Sequence, residues 1–443
     1  MTAREVALKI LYDTEQNDAF LNVAFAKNLE TADLAPQDSG FVKELVFGVF
    51  RYKIYLDYII RKNSSIRLKK IEPKVLNILR MGVYQILFMD KVPSHAAVSE
   101  SVTLAKKHSF GRTPGFVNAV LRSLLRTGAP DLSELLSDKI KYLSVKHSYP
   151  EPLVKFFIDT FGERAEKMLS AGNETPPLCI RVNTLKTTKK KLIEKLEEAE
   201  ISAKQTPYCD SGLYLFNASE KKRAEFNGLF CVQDQSSQLS ALALDPQKND
   251  VVLDLCSAPG GKTTHLAELM ENEGKILAFD LYEHRLTAVD ELSKKLGISI
   301  IKTKAQDALV FCPELENTAD KILLDVPCSG LGIIRRKPDI KYKDNITDFS
   351  EIVDLQKKIL DNAKKYLKVG GVMVYSTCTV NPAENREQID LFLKENKNFS
   401  LDEISSKHIT GEMAKRAKKG YLEIFPDTDN SDGFFVCRLV KKG

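Results

Sequence analysis

The stretch Asp254-Leu-Cys-Ser-Ala-Pro-Gly-Gly-Lys-Thr263 puts a carboxylate, a thiol, a lysine and a cluster of small residues together. An apolar run precedes it and a helical stretch follows. Small residues at such a junction make a tight turn that offers backbone N–H groups and a helix N-terminus to a ligand. The turn alone does not name that ligand. A phosphate-binding loop ending in Gly261-Lys262-Thr263 would need glycine at 256, where Cys256 stands. The three spaced glycines of a dinucleotide site are absent as well. Asp280 follows the turn by about 20 residues, where an acidic side chain grips a ribose through both hydroxyls. Asp307, after the next apolar run, can accept from an adenine amino group. Either aspartate alone could be a turn former, but the two together with the turn describe an adenosine-type cofactor that has no pyrophosphate. S-adenosylmethionine fits that description.

These residues need a frame that gathers them. From residue 250 on, apolar runs alternate with helical stretches, which predicts a parallel sheet with crossover helices. The expected strands are 251–255, 275–280, 299–303, 321–325 and 370–377. Each delivers a polar group at its C-terminal end: Cys256–Lys262, then Asp280, Asp307, Asp325 with Cys328, and finally Cys378. In an open α/β sheet those ends lie on one edge, where ligands bind. Residues 421–425 and 433–440 flank an Asp/Asn turn and read as a hairpin. A parallel sheet closed by one antiparallel hairpin is the arrangement of class I (Rossmann-like) methyltransferases.

The remainder divides in two. Residues 1–140 read as helices only, with apolar faces at helical spacing, and suit an all-α bundle. Residues 141–235 mix helical stretches (153–161, 189–198) with short apolar runs (178–183, 213–216, 229–232), a small α+β unit. The expected domains are therefore 1–140, 141–235 and 236–443. Arg51 to Arg80 carries nine basic and two acidic residues; such a patch is either a solvated surface or a site for RNA phosphates. Arg181 and Lys189–Lys191 are further candidates for nucleic-acid contact. His95 is read as a packing or helix-start residue, with Ser94 as the cap. Eight cysteines without metal-ligand spacing suggest reduced thiols in a cytoplasmic protein, with no metal site. No run of about 20 apolar residues suggests a membrane span, and the first residues lack the apolar core of an export signal. No obligate protein partner is evident.

Four pieces of the helical part resemble the NusB family of RNA-binding domains: Ala3-Arg-Glu-Val-Ala-Leu8, Leu45-Val-Phe-Gly-Val-Phe-Arg51, Val92-Pro-Ser-His-Ala-Ala-Val98 and Phe116-Val-Asn-Ala-Val-Leu-Arg122. In the last part, Asp254–Thr263, Asp325-Val-Pro-Cys-Ser-Gly-Leu-Gly332 with Arg335-Arg-Lys-Pro-Asp339, and Tyr375-Ser-Thr-Cys-Thr-Val-Asn-Pro-Ala-Glu-Asn385 are similar to RNA cytosine-C5 methyltransferases of the Sun/Fmu (RsmB) type. That family also carries a NusB-like domain, so the resemblance spans most of the chain. It implies methylation of a cytosine in 16S ribosomal RNA with S-adenosylmethionine. It also implies a cofactor site made of Cys256, Ser257, Ala258, Pro259, Gly260, Gly261, Lys262, Asp280, Arg285, Asp307 and Asp325.

The cysteines acquire a meaning from this chemistry. Cytosine C5 is too weak a nucleophile to take a methyl group unaided. Thiolate attack at C6 makes the ring enamine-like, and a base must later remove the C5 proton so that the thiol can leave. Spacing does not say whether Cys328 or Cys378 attacks. RNA enzymes resembling this chain use the Thr-Cys cysteine, which makes Cys378 the nucleophile and Cys328 the residue that assists release. Asp325 would hold the cytosine amino edge, and Lys262 would approach the base or the cofactor carboxylate. Cys179, Cys209, Cys231, Cys312 and Cys437 are expected to be packing residues. Two rivals remain: a P-loop nucleotidase, against which Cys256 and the acidic strand ends argue, and a non-catalytic RNA-binding assembly factor, against which the two placed cysteines argue.

Overall fold

In a computed structural model, residues 1–16, 20–32, 34–108 and 113–443 are described. They form two compact units, Met1–Glu174 with Ile334–Thr347, and Thr175–Ile333 with Asp348–Gly443. The first unit therefore runs past residue 140, and it takes in the Arg335–Asp339 motif expected with the catalytic domain.

The first unit is helical. Its helices include Ala3–Gln16, Leu21–Glu30, Pro36–Asn63, Pro73–Phe88, Ser94–His108 and Thr113–Thr127, followed by shorter ones at Lys139–His147, Glu151–Phe161 and Ala165–Ala171. Ser94 is the first helical residue, not a cap outside it. The apolar stripes meet in one core built from Val6, Ile10, Leu45, Leu56, Ile78 and Leu121 among others. Gly48 explains itself: a Cβ there would lie 2.0 Å from the Tyr84 ring. Much of the basic run is engaged inside the unit. Arg80 is buried and donates to Asp57 (2.7 and 2.8 Å) and to Glu15 (2.9 Å). Arg51 donates to the Arg335 carbonyl at 3.2 Å. Arg61, Arg67, Lys69 and Lys70 remain exposed. Lys341 is wholly buried, its ammonium donating to the carbonyls of Arg51 (2.7 Å) and Ser148 (2.8 Å) and to Asn173 Oδ1 (3.1 Å).

The second unit holds two sheets. The smaller, antiparallel one contains β1 (Leu178–Val182), β2 (Ser202–Gln205), β3 (Gly212–Phe216) and β4 (Phe230–Val232), in the order β2-β3-β1-β4. The helix Lys189–Glu198 buries Leu192 and Leu196 with Ile180, Val182, Leu213 and Leu215. The larger sheet contains β5 (Val251–Asp254), β6 (Lys275–Asp280), β7 (Ile301–Ala305), β8 (Ala319–Asp325), β9 (Leu367–Thr377), β10 (Phe399–Leu401), β11 (Tyr421–Ile424) and β12 (Phe434–Lys441). Its order is β10-β12-β9-β8-β5-β6-β7, with β11 paired to β12. β5 to β9 run parallel, while β12 is antiparallel to β9, β10 and β11. The α/β expectation and the closing hairpin hold. The hairpin turn is longer than expected and contains the short helix Pro426–Asp429. No described helix is long and apolar enough to cross a membrane.

Candidate active site

The C-terminal ends of β5, β6, β8 and β9 carry the residues expected there. At β5 the chain turns through Ser257–Gly260 into the helix Gly261–Leu269. Gly260 adopts φ +99°, and a Cβ on it would approach Val289 Cα to 3.0 Å, so the close helix approach requires glycine. The Ala258–Pro259 peptide is cis. Ser257 N–H and Oγ both bond the Phe279 carbonyl (2.8 and 2.9 Å), tying the turn to β6. Asp254 is buried and accepts from Thr263 Oγ1 at 2.7 Å. Burial pushes its carboxyl up to about 7.

Asp280, 4% exposed, ends β6. Its Oδ2 accepts from Ala258 N–H (3.3 Å), and its Oδ1 accepts from Arg285 Nη1 (3.0 Å) and Tyr282 N–H (3.4 Å). Arg285 is half exposed. Asp307 lies beyond β7, half-buried, and caps its own turn by accepting from Leu309 N–H at 2.9 Å. Four apolar side chains stay exposed just after these two aspartates: Leu281, Tyr282, Leu309 and Val310. The sequence pattern does not single them out; their only mark is an apolar pair within three residues of an aspartate at a strand end.

The two candidate catalytic cysteines lie just beyond the ends of β8 and β9. Asp325 Oδ2 accepts from Lys262 Nζ at 2.7 Å, and its Oδ1 accepts from Ser376 Oγ at 2.9 Å. Lys262 also lies 5.0 Å over the Phe434 ring. Cys328 Sγ and Cys378 Sγ are 3.2 Å apart. The Cys378 thiol beside it, and then burial, push the Cys328 thiol well above its usual range. Cys256 is pushed up as well, by burial and then by nearby carboxylates. Gly332 and Gly433 pack backbone to backbone: Gly332 N–H donates to the Cys378 carbonyl (3.0 Å) and Gly433 N–H to that of Gly332 (2.8 Å). A Cβ on Gly332 would lie 2.0 Å from the Gly433 oxygen.

One expectation is corrected. Arg181 is not available to nucleic acid: it is fully buried, donating to both Glu268 oxygens (2.9 and 2.8 Å), to the Gly261 carbonyl (2.7 Å), to Thr264 Oγ1 (3.1 Å) and to Gln233. It braces the helix that begins at Gly261, directly after the small-residue turn. The five cysteines expected to be packing residues are all buried. No cluster of His, Cys, Asp and Glu fit to hold a metal occurs among the described residues.

Comparison with known proteins gives three matching family profiles. The profile described as 16S rRNA methyltransferase RsmB/F matches residues 241–440, that of the NusB family residues 1–126, and an RsmF/B-like ferredoxin-like domain residues 149–220. A Bacillus subtilis (strain 168) protein named "Probable ribosomal RNA small subunit methyltransferase B" is 36% identical over 445 residues, covering 100% of this chain and 99% of its own. The crystal structure of PH0851 superposes with a TM-score of 0.80 at 25% identity, covering 100% of this chain and 99% of that one. That of NSun6 from Pyrococcus horikoshii with SFG covers 67% of this chain and 99% of its own, with a TM-score of 0.58 and 26% identity.

Proposed function

The chain belongs to the RsmB/F family of 16S rRNA methyltransferases, and from that premise we propose that it methylates C5 of a cytosine in 16S ribosomal RNA, taking the methyl group from S-adenosylmethionine. The observation that carries this reading is the pair of thiols 3.2 Å apart at adjacent strand ends, beside an aspartate held by a lysine and a serine.

The cofactor, when bound, supplies an electrophilic methyl group. The residues suit it: a turn of small side chains, a buried carboxylate at the ribose position (Asp280) and a second one beyond the next strand (Asp307). Arg285 covers Asp280 from solvent and, being half exposed, can yield to ribose hydroxyls. This donor set has no use for a pyrophosphate. The fold neighbour NSun6 was crystallised with SFG.

Cys378 attacks C6 of the base. Cys328, held protonated by its neighbour and by burial, is a poor nucleophile but can donate to the Cys378 sulfur and so favour that attack. Asp325, fixed by Lys262 and Ser376, accepts from the cytosine amino group. Once Cys378 is bonded to C6 and C5 carries the methyl group, Cys328 loses its thiol neighbour and passes its proton to solvent. As the thiolate it takes the C5 proton, and the electron pair left on carbon re-forms the C5–C6 double bond and expels Cys378 as thiolate. The base must leave any stack to reach this edge. The exposed Arg61, Arg67, Lys69 and Lys70 of the first unit supply partners for RNA phosphates.

The test has two parts. Bisulfite mapping of ribosomal RNA from cells with and without the gene should show one cytosine losing its methyl group; an unchanged map refutes the reaction. With purified protein, Cys378→Ala should form no adduct and lose methylation, whereas Cys328→Ala should accumulate a protein–RNA adduct that survives denaturing electrophoresis. A stable adduct found only in Cys378→Ala reverses the two roles.

A further inference from the structure

A third group joins the loops that carry the two thiols. Glu384 is fully buried, and its carboxylate accepts from four neutral donors. Ser329 N–H (2.8 Å) and Gln356 Nε2 (3.0 Å) meet Oε2, while Ser329 Oγ (2.5 Å) and Asn381 Nδ2 (3.1 Å) meet Oε1. Ser329 follows Cys328 directly. Gln356 also donates to the carbonyl of Pro327, the residue before Cys328, at 2.9 Å. The Cys328 loop is thus gripped on both sides of the thiol.

The Cys378 loop is tied to the same hub. Ser329 Oγ gives its only proton to Glu384, so at its 2.7 Å approach to Thr379 Oγ1 it accepts. Asn385 accepts from Thr377 Oγ1 (2.5 Å) and donates to the Thr379 carbonyl (3.0 Å), fixing the residues on either side of Cys378. Tyr375 OH donates to the Glu384 carbonyl at 2.7 Å and anchors the hub to β9.

We infer that Glu384 is a positioning residue that sets the distance between Cys328 and Cys378. The role asks for a carboxylate: four donors converge on its two oxygens, filling the acceptor sites it has. A glutamine of the same shape offers one acceptor oxygen and turns its own N–H groups on two of the donors. The inference rests on the reading that both cysteines act in catalysis, and its test separates the two ideas.

In Glu384→Gln the rate of Cys328–Cys378 disulfide formation under diamide is measured by mass spectrometry of the linked peptides. Each thiol gives up a proton and an electron, and the azo bond of diamide is reduced to the hydrazine. That rate should fall about tenfold or more, because disulfide closure tolerates little change in separation. S-adenosylhomocysteine affinity should stay within about twofold, since the hub touches no residue of the turn. Turnover on RNA should fall about 10²-fold, the scale expected for a displacement of about 1 Å, with the RNA adduct accumulating as in Cys328→Ala. An unchanged cross-linking rate in folded Glu384→Gln overturns the inference, because a residue needed only for stability would lower the melting temperature and leave that rate alone. Slow cross-linking with no RNA adduct in any variant supports the hub and refutes the proposed chemistry instead. Should Glu384→Gln not fold, Ser329→Ala removes one donor and should slow cross-linking in the same direction; an unchanged rate there also overturns the inference.

Discussion

Replacing Arg181 by methionine tests the brace behind the Ser257–Gly260 turn. The guanidinium directs all five N–H groups at Glu268, Gly261, Thr264 and Gln233. Its side chain is 0% exposed and that of Glu268 2%. Methionine fills similar space but strands a buried carboxylate, and breaking a buried pair from one side costs about 3–5 kcal/mol. Removing both charges, in Arg181→Met with Glu268→Leu, should restore most of that loss. The pH dependence gives a second handle. Burial pushes the Glu268 carboxyl up against the pull of Arg181. A raised folded-state value means that the native state binds the proton more readily, so stability is lost as pH rises through that value. Without Arg181 the value rises further. The penalty should therefore be full at neutral pH and shrink as pH falls toward the ordinary glutamate value of about 4.3. Hydrogen exchange of β1 and β5 amides in a urea series would follow the second unit without interference from the first. A single-variant loss no larger than that of an exposed ion pair, about 1 kcal/mol, would refute the brace, as would a penalty equal at pH 5 and pH 8.

Three further outcomes are expected. Asp280→Ala should weaken S-adenosylhomocysteine binding by about 10- to 150-fold in calorimetry, from the loss of a charged acceptor worth about 1.5–3 kcal/mol. Asp254→Asn should flatten the pH profile of melting temperature: the Asp254 carboxyl, raised to about 7, contributes stability below the ordinary carboxylate range that is lost as pH rises through 7. An unaltered profile would count against that assignment. Reversing Arg67, Lys69 and Lys70 to glutamate should lower RNA affinity. The slope of log affinity against log salt should also become shallower, by about 0.7–0.9 for each phosphate the variant no longer neutralises, as a binding titration over several salt concentrations would show.

β5, β6, β8 and β9 were legible because each holds a buried apolar run ending in a polar group, whereas β7 (Ile301-Lys-Thr-Lys-Ala305) is largely exposed and starts two residues later than expected. β6 begins and ends where the apolar run predicts, and the Lys189–Glu198 helix matches its expected range. β2 was not legible: Ser202-Ala-Lys-Gln205 is a largely exposed edge strand with no apolar pattern to betray it. β10, Phe399-Ser-Leu401, buries Phe399 but escaped because three residues are too few to show an alternating pattern. The candidate site residues could be picked from motifs, but not their partnerships. Arg181 reads like any cation in sequence, and only the fold shows its burial against Glu268. Glu384 lies inside a recognised motif, yet its purpose appears only when Ser329 and Gln356, distant in sequence, converge on it.

The packing of Ile334–Thr347 within the first unit has a consequence for the order of events on the ribosome. The socket that receives the Lys341 ammonium, formed by carbonyls of Arg51 and Ser148 and by Asn173, is synthesised long before its occupant. Roughly 160 residues of the second unit separate Glu174 from Ile334, a delay of about 8–30 s at typical elongation rates. The helical unit therefore emerges with a gap in its interior and closes only after β5 to β8, half the strands of the methyltransferase sheet, have been translated. Nascent chains stalled before residue 334 should expose the 139–174 helices to protease, and chains stalled well past 347 should not.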